Sequence, residues 1–181
     1  LAGTENVAER LQRYMRPGTL SLPAQPPLAL YVHLPWCLKK CPYCDFNSHE
    51  AREGIPEARY LAALIADLEQ SLPLVWGRPV TSVFIGGGTP SLLSPESVDA
   101  LLAAVRARLT LLPGAEVTLE ANPGTAEAGR FAGYRAAGVN RLSVGVQSFN
   151  PRHLAALGRI HDADEARHAV ELALKHFDNA N

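Results

Sequence analysis

Cys37, Cys41 and Cys44 are the only cysteines in the 181 residues, and all three fall in the stretch CLKKCPYC. Thiolates packed this closely along a chain suit a metal ion or a cluster. They do not complete the four-cysteine shell of an ordinary cubane iron–sulfur cluster, so a four-iron cluster bound here keeps one iron open for another ligand. An open iron points to chemistry more than to electron storage. His49 follows Cys44 closely enough to offer a rival set, three cysteines and one histidine around a tetrahedral zinc. Three structural thiols without metal are the third reading.

Three more motifs could do chemistry. Gly86-Gly87-Gly88-Thr89-Pro90 leaves backbone open to a ligand or makes a tight strand-to-helix turn. It is not a phosphate-gripping loop of the Walker kind, because no Gly-Lys-Ser/Thr follows it. Glu120, in Glu120-Ala121-Asn122-Pro123-Gly124, is a carboxylate that is costly to bury without a cation or donor. A ligand ammonium or sugar hydroxyl satisfies it, and so does Arg141 or Arg159. Gln147, in Gln147-Ser148-Phe149-Asn150, carries the same two readings. His33 reads as a satisfied core histidine, and His161, His168 and His176 read as surface residues.

These residues need elements to position them. Apolar runs rich in Val, Leu, Ile and Phe predict strands at 28–34, 80–86, 116–121 and 141–147. Helical periodicity predicts helices at about 57–72, 95–109, 126–137 and 163–176. Ser94-Pro95 and Asn150-Pro151 are N-cap and first-turn signals, the second for a short helix ending at Gly158. Asp162 with Glu165 forms a capping box. Strands alternating with helices imply an α/β fold with a parallel sheet and right-handed crossovers.

In three strands one face is polar: Tyr31 and His33; Thr118, Glu120 and Asn122; Ser143, Gly145 and Gln147. The run at 80–86 is ambiguous. A polar face suits the concave interior of a full or partial barrel, where the active site gathers at the C-terminal strand ends. The cysteine loop, the glycine run, the Glu120 segment and the Gln147 segment each follow one strand, so all four converge on one rim. Four βα units do not close an eight-stranded barrel, so a truncated barrel is expected. Such a half barrel exposes an edge strand, and poor folding of the chain alone is expected.

Composition sets the outer bounds. The chain is 47% hydrophobic and 19% charged with net charge −1, which gives no general pull toward nucleic acid or acidic lipid. No apolar run reaches the roughly 18 residues of a transmembrane span, and no secretory signal is legible. One tight cluster of thiols indicates a reducing compartment, and a cytoplasmic location is expected. Residues 1–27 read as a leader: a helix over 5–15 ended by Arg16-Pro17-Gly18, then a linker containing Pro23, Pro26 and Pro27. Residues 28–181 carry the barrel.

Cys37-x3-Cys41-x2-Cys44, with Tyr43 before the last cysteine, resembles the signature of the radical S-adenosylmethionine (SAM) superfamily. LYVHLPWC over 30–37 is similar to the branch around oxygen-independent coproporphyrinogen III oxidase. CPYCDFNSH over 41–49, GGGTPSLL over 86–93, EANPG over 120–124 and GVQSF over 145–149 resemble the HemW haem-chaperone family within it. The resemblance runs from about Leu28 to the C-terminus. It implies a [4Fe–4S] cluster on Cys37, Cys41 and Cys44, with the amino and carboxylate groups of S-adenosylmethionine on the fourth iron. It further implies cofactor contacts by Tyr31, the Tyr43 backbone, Gly86, Gly87, Gly88, Thr89 and Glu120. Gln147 and Arg159 match positions that contact a second cofactor molecule in the oxidase. The oxidase carries a further cysteine two residues after its third ligand, where this chain has Phe46, and this favours the chaperone family. Haem as cargo, a haem-acceptor protein and an electron donor are the implied partners. The family's haem-associated His-Asn-x-x-Tyr-Trp motif is not among these residues. The alternatives are an oxidase that decarboxylates a porphyrinogen in porphyrin biosynthesis and a structural zinc module.

Overall fold

A computed structural model describes Arg13, Arg16 and residues 26–181. The expected leader helix, its Pro17-Gly18 stop and Pro23 otherwise lie outside the described residues. From Leu28 onward, strands and helices alternate as β1 (Leu28–Leu34), β2 (Trp36–Cys37), β3 (His49–Glu50), α1 (Glu57–Val75), β4 (Val80–Gly87), α2 (Pro95–Arg108) and β5 (Leu111–Ala121). There follow α3 (Thr125–Ala128), α4 (Phe131–Ala137), β6 (Arg141–Val144), α5 (Pro151–Ala156), α6 (Ala163–His176) and β7 (Asn179–Ala180). A 3₁₀ turn at Pro90–Leu92 links β4 to α2.

Five strands form one parallel sheet in the order β1-β4-β5-β6-β7. Its register explains the core. Val32 is opposite Ile85, Ile85 opposite Leu119, and Leu119 opposite Leu142. All four are buried, so one apolar row runs across four strands beneath the helices. Burying each such side chain contributes about 1.5–3 kcal/mol. Side chains alternate faces along a strand, so His33, Gly86, Glu120 and Ser143, one residue further on, face the opposite, concave side. That side also carries Tyr31 and Phe84, whose rings stack with centroids 6.2 Å apart. The ambiguous strand is thereby resolved: Val83 and Ile85 point into the core, and Phe84 points out of it.

Helix ends follow the sequence signals. The Ser94 side chain accepts from the Ser97 N–H, Asn150 accepts from Arg152, and Asp162 with Glu165 closes a capping box. Three expectations need correction. The helix expected over 126–137 is broken after Ala128, where Gly129 weakens it, and the break sets the Arg130 guanidinium on the carbonyls of Ser91, Leu92 and Leu93. β5 begins at Leu111, five residues early. Its extra length is a bulge, since Val80 pairs with Leu111 but Ser82 with Glu116, and Pro113-Gly114 in that bulge reads as a turn in sequence. β6 ends at Val144 rather than 147, because its partner β5 ends opposite it, at Ala121.

Candidate functional site

A cavity of about 320 Å³ opens at the C-terminal ends of β4, β5 and β6, and Cys37, Cys41 and Cys44 all line it. Gly87, Gly88, Thr89, Glu120, Gln147, Arg159 and Tyr43 line it too. A smaller hollow beside it is lined by Tyr31, His33, Asn47 and Phe84, and shares Phe46, Gly87 and Glu120 with the first. The four loops therefore converge on one rim. Gly86 is buried behind it: a Cβ there would stand 2.9 Å from the Glu120 Oε2.

The cysteine loop is built by backbone pairing and two side-chain clamps. β2 pairs with β3, the Ala51 N–H donates to the Cys37 carbonyl at 2.9 Å, and the Cys44 N–H to the Cys41 carbonyl at 3.1 Å. Lys40 Nζ donates to the carbonyls of Phe46 and Ser48, each at 3.2 Å. His33 Nε2 takes the carbonyl between them, Asn47, at 2.8 Å. Three consecutive carbonyls thus receive side-chain donors. With Nε2 carrying the proton, His33 Nδ1 accepts from the Tyr31 hydroxyl at 2.8 Å. His33 is satisfied as expected, but its partners join the concave face to the cysteine loop. The three thiols are free. His49 is exposed and does not line the cavity. Among the described residues no three His, Cys, Asp or Glu side chains converge as a single-ion site, so the three-cysteine, one-histidine zinc set is not brought together.

Neither arginine pairs with Glu120. Arg141 bridges Glu116 at 3.0 Å, and among the described residues Glu120 Oε2 accepts from the Gly87 N–H alone, at 3.1 Å. Burial pushes the Glu120 carboxyl above its ordinary pKa, and the Gly87 N–H opposes this. Burial likewise raises the Tyr31 phenol, with the charge of Glu120 adding to the effect. Glu120 thus keeps acceptor capacity toward the cavity, where a cationic or hydroxyl-bearing ligand would find it.

The glycine run answers a steric need more than a shortage of donors. Gly88 N–H donates to the Leu34 carbonyl at 2.6 Å and Thr89 N–H to the Trp36 carbonyl at 2.7 Å. A Cβ on Gly87, whose φ is 116°, would stand 2.7 Å from His33 Nδ1, and one on Gly88 would stand 2.5 Å from the Trp36 carbonyl oxygen. The run lets the end of β4 close on β1 and β2.

Arg159 reaches across the cavity wall. Its Nη2 donates to Asn122 Oδ1 at 2.7 Å and to the Gly145 carbonyl at 2.6 Å, and its Nη1 donates to Cys41 Sγ at 3.5 Å. Asn122 Nδ2 in turn donates to Thr89 Oγ1 at 3.1 Å. Arg159 Nε is buried with no hydrogen-bond partner among the described residues. The Tyr43 phenol lies beside Cys41 and Arg159; burial raises it most, the guanidinium lowers it, and the thiol raises it. His161 was expected at the surface. It is buried, and its ring, held below the ordinary histidine pKa by burial and by Arg159, bonds the Val146 carbonyl at 3.1 Å. Arg159 and His161 thus bond the carbonyls of Gly145 and Val146 just past the end of β6, and Gln147 follows at φ 66°. Asn122 and His161 are the members that sequence reasoning did not assign. Asn122 was legible as a polar residue on the face of Glu120; nothing in the sequence marks His161.

A [4Fe–4S] cluster with a non-protein ligand fits this donor set: three free thiols on one cavity, an under-bonded carboxylate and a buried guanidinium nitrogen without a partner. Comparison with known proteins agrees. The profile of the Radical SAM superfamily matches residues 31–181. The heme chaperone HemW of Escherichia coli is 55% identical over 148 residues, covering 82% of this chain and 39% of that protein. A mitochondrial radical S-adenosyl methionine domain-containing protein 1 from Bos taurus is 48% identical over 149 residues, covering 82% of this chain and 34% of that protein. The solved structure of coproporphyrinogen III oxidase (HemN) from Escherichia coli, a radical SAM enzyme, superposes with a TM-score of 0.79 at 31% identity, covering 98% of this chain and 40% of that one. The chain spans about two fifths of the length of the HemW relatives it matches. A profile that takes in all but the first 30 residues settles the relationship: the chain belongs to the radical SAM superfamily.

Proposed function

We propose that residues 28–181 are the N-terminal part of the core barrel of a haem chaperone. In this reading Cys37, Cys41 and Cys44 hold a [4Fe–4S] cluster, S-adenosylmethionine occupies the open iron, and haem is cargo for an acceptor protein in the cytoplasm. The observation that carries it is three free thiols on one cavity with Glu120 and Arg159. Bound cluster and cofactor supply one-electron chemistry, and the chain binds, orients and shields them. Glu120, Tyr31, the Tyr43 backbone and the Gly86–Thr89 run orient the cofactor from the strand ends. The chaperone is favoured over the oxidase by the stronger identity to HemW, 55% against 31%, and by Phe46 at the oxidase's extra cysteine. The oxidase reading keeps the support of a superposition over 98% of the chain.

Low-temperature electron paramagnetic resonance of the anaerobically reconstituted, reduced protein tests the site. The expected result is a cubane signal that changes on adding S-adenosylmethionine. About one zinc per chain and no cubane signal would overturn it. An oxygen-free decarboxylation assay with a porphyrinogen separates the two functions; robust turnover would move the assignment to the oxidase.

A further inference from the structure

The geometry points to Arg159 as a residue that sets the reduction potential of the cluster through a hydrogen bond to the sulfur of Cys41. The inference rests on the cluster reading above and adds a role for one side chain. The Nη1–H group donates to Cys41 Sγ at 3.5 Å. The guanidinium is held in place by two further bonds from Nη2, to Asn122 Oδ1 and to the Gly145 carbonyl. Both acceptors are neutral, and among the described residues no carboxylate forms an ion pair with Arg159. Its positive charge is therefore uncompensated where it meets the thiolate loop, and the half-buried setting weakens screening by solvent.

The direction follows from charge. One-electron reduction makes the cluster and its thiolates more negative. A cation and an N–H donor at a ligand sulfur stabilise the reduced form more than the oxidised form, which raises the potential. Arg159 also anchors the cysteine loop to the ends of β5 and β6, so loss of cluster in a variant would read as a structural effect. The sign of the shift separates the two roles: a loop loosened toward water raises the potential by solvating the more negative reduced cluster, whereas loss of the cation and its N–H lowers it.

The test is a redox titration of the anaerobically reconstituted full chain, followed by the resonance signal of the reduced cluster, for wild type, Arg159→Gln and Arg159→Lys. For Arg159→Gln the equilibrium for reduction is expected to fall about tenfold, a charge-assisted hydrogen bond being worth about that much. For a one-electron couple this is a midpoint about 59 mV more negative. Arg159→Lys, which keeps the charge and loses the fork, is expected between the two. If the glutamine variant holds no cluster, the lysine variant carries the test, and a midpoint below wild type supports the proposal. A midpoint unchanged or raised in every variant that holds a cluster overturns it and leaves the cluster reading intact. Absence of a cubane in the wild type overturns both.

Discussion

Glu120 shows how one side chain can be tuned for a ligand at a cost to the fold. Its carboxyl is raised by burial and, among the described residues, has one hydrogen-bond donor, the Gly87 N–H. A carboxyl raised in the folded state binds its proton more tightly there than in the unfolded chain. Stability therefore falls as pH rises from the unfolded value, about 4.3, through the folded one, and stays reduced above it. Glu120→Gln keeps an acceptor for the Gly87 N–H and removes the charge. It is expected to make the protein more stable at pH 7, with the gain vanishing below pH ~4, while abolishing the response of the cluster signal to S-adenosylmethionine. Urea denaturation at the two pH values measures the first effect and resonance spectroscopy the second. A loss of stability at pH 7 would show that the carboxylate has a partner it lacks here. The partner of Glu120 was not legible in the sequence: both arginines were plausible by type, and only the fold shows that Arg141 faces Glu116 and Arg159 faces Asn122.

At the scale of elements, the junctions matter more than the elements themselves. Glu57, at the start of α1, accepts from the N–H and hydroxyl of Ser94 and from the hydroxyl of Ser97, all at the N-terminus of α2. Burial raises its carboxyl pKa, but the hydrogen bonds from Ser94 and Ser97 win and hold it below the ordinary value. A depressed carboxyl stabilises the fold above its unfolded pKa and loses that contribution as pH falls through the folded one. Glu57→Ala is thus expected to cost roughly 1–3 kcal/mol at pH 7, with a smaller penalty in acid, read from denaturation midpoints. The β4–β1 junction gives a steric counterpart. Gly87→Ala combines a left-handed φ with a clash against His33 and the Leu34 carbonyl, and is expected to cost about 2–4 kcal/mol. Gly77→Ala, at φ 74° with nothing within 4 Å, isolates the backbone part and is expected to cost roughly 1 kcal/mol. Strand positions and helix caps were legible because periodicity and capping are local. The early start of β5 and the early end of β6 were not. The first is a bulge that reads as a turn, and the second follows from the end of the neighbouring β5 at Ala121, opposite Val144.

For the molecule as a whole, the consequence is that loading the site should stabilise the fold. The cavity draws on the loop after β1 and on the ends of β4, β5 and β6, so a ligand there ties four chain segments together. Sequence reasoning reached this convergence because a parallel sheet sends every C-terminal strand end to one side. It could not see that the concave face leaves Tyr31 and Phe84 exposed. A ligand that binds the folded state alone stabilises it by an amount set by its concentration over its dissociation constant, about 2.7 kcal/mol at a hundredfold excess. For a chain of this size that is a rise in melting temperature of about 5–10 °C. The rise is expected when S-adenosylmethionine is added to the reconstituted protein under anaerobic conditions, and is expected to be absent from protein stripped of iron, because the open iron supplies the anchoring contact. Calorimetry on both forms, over a series of cofactor concentrations, reads the difference. Equal stabilisation of the iron-free protein would mean that the strand-end residues bind the cofactor unaided, and the role assigned to the missing fourth cysteine would fall.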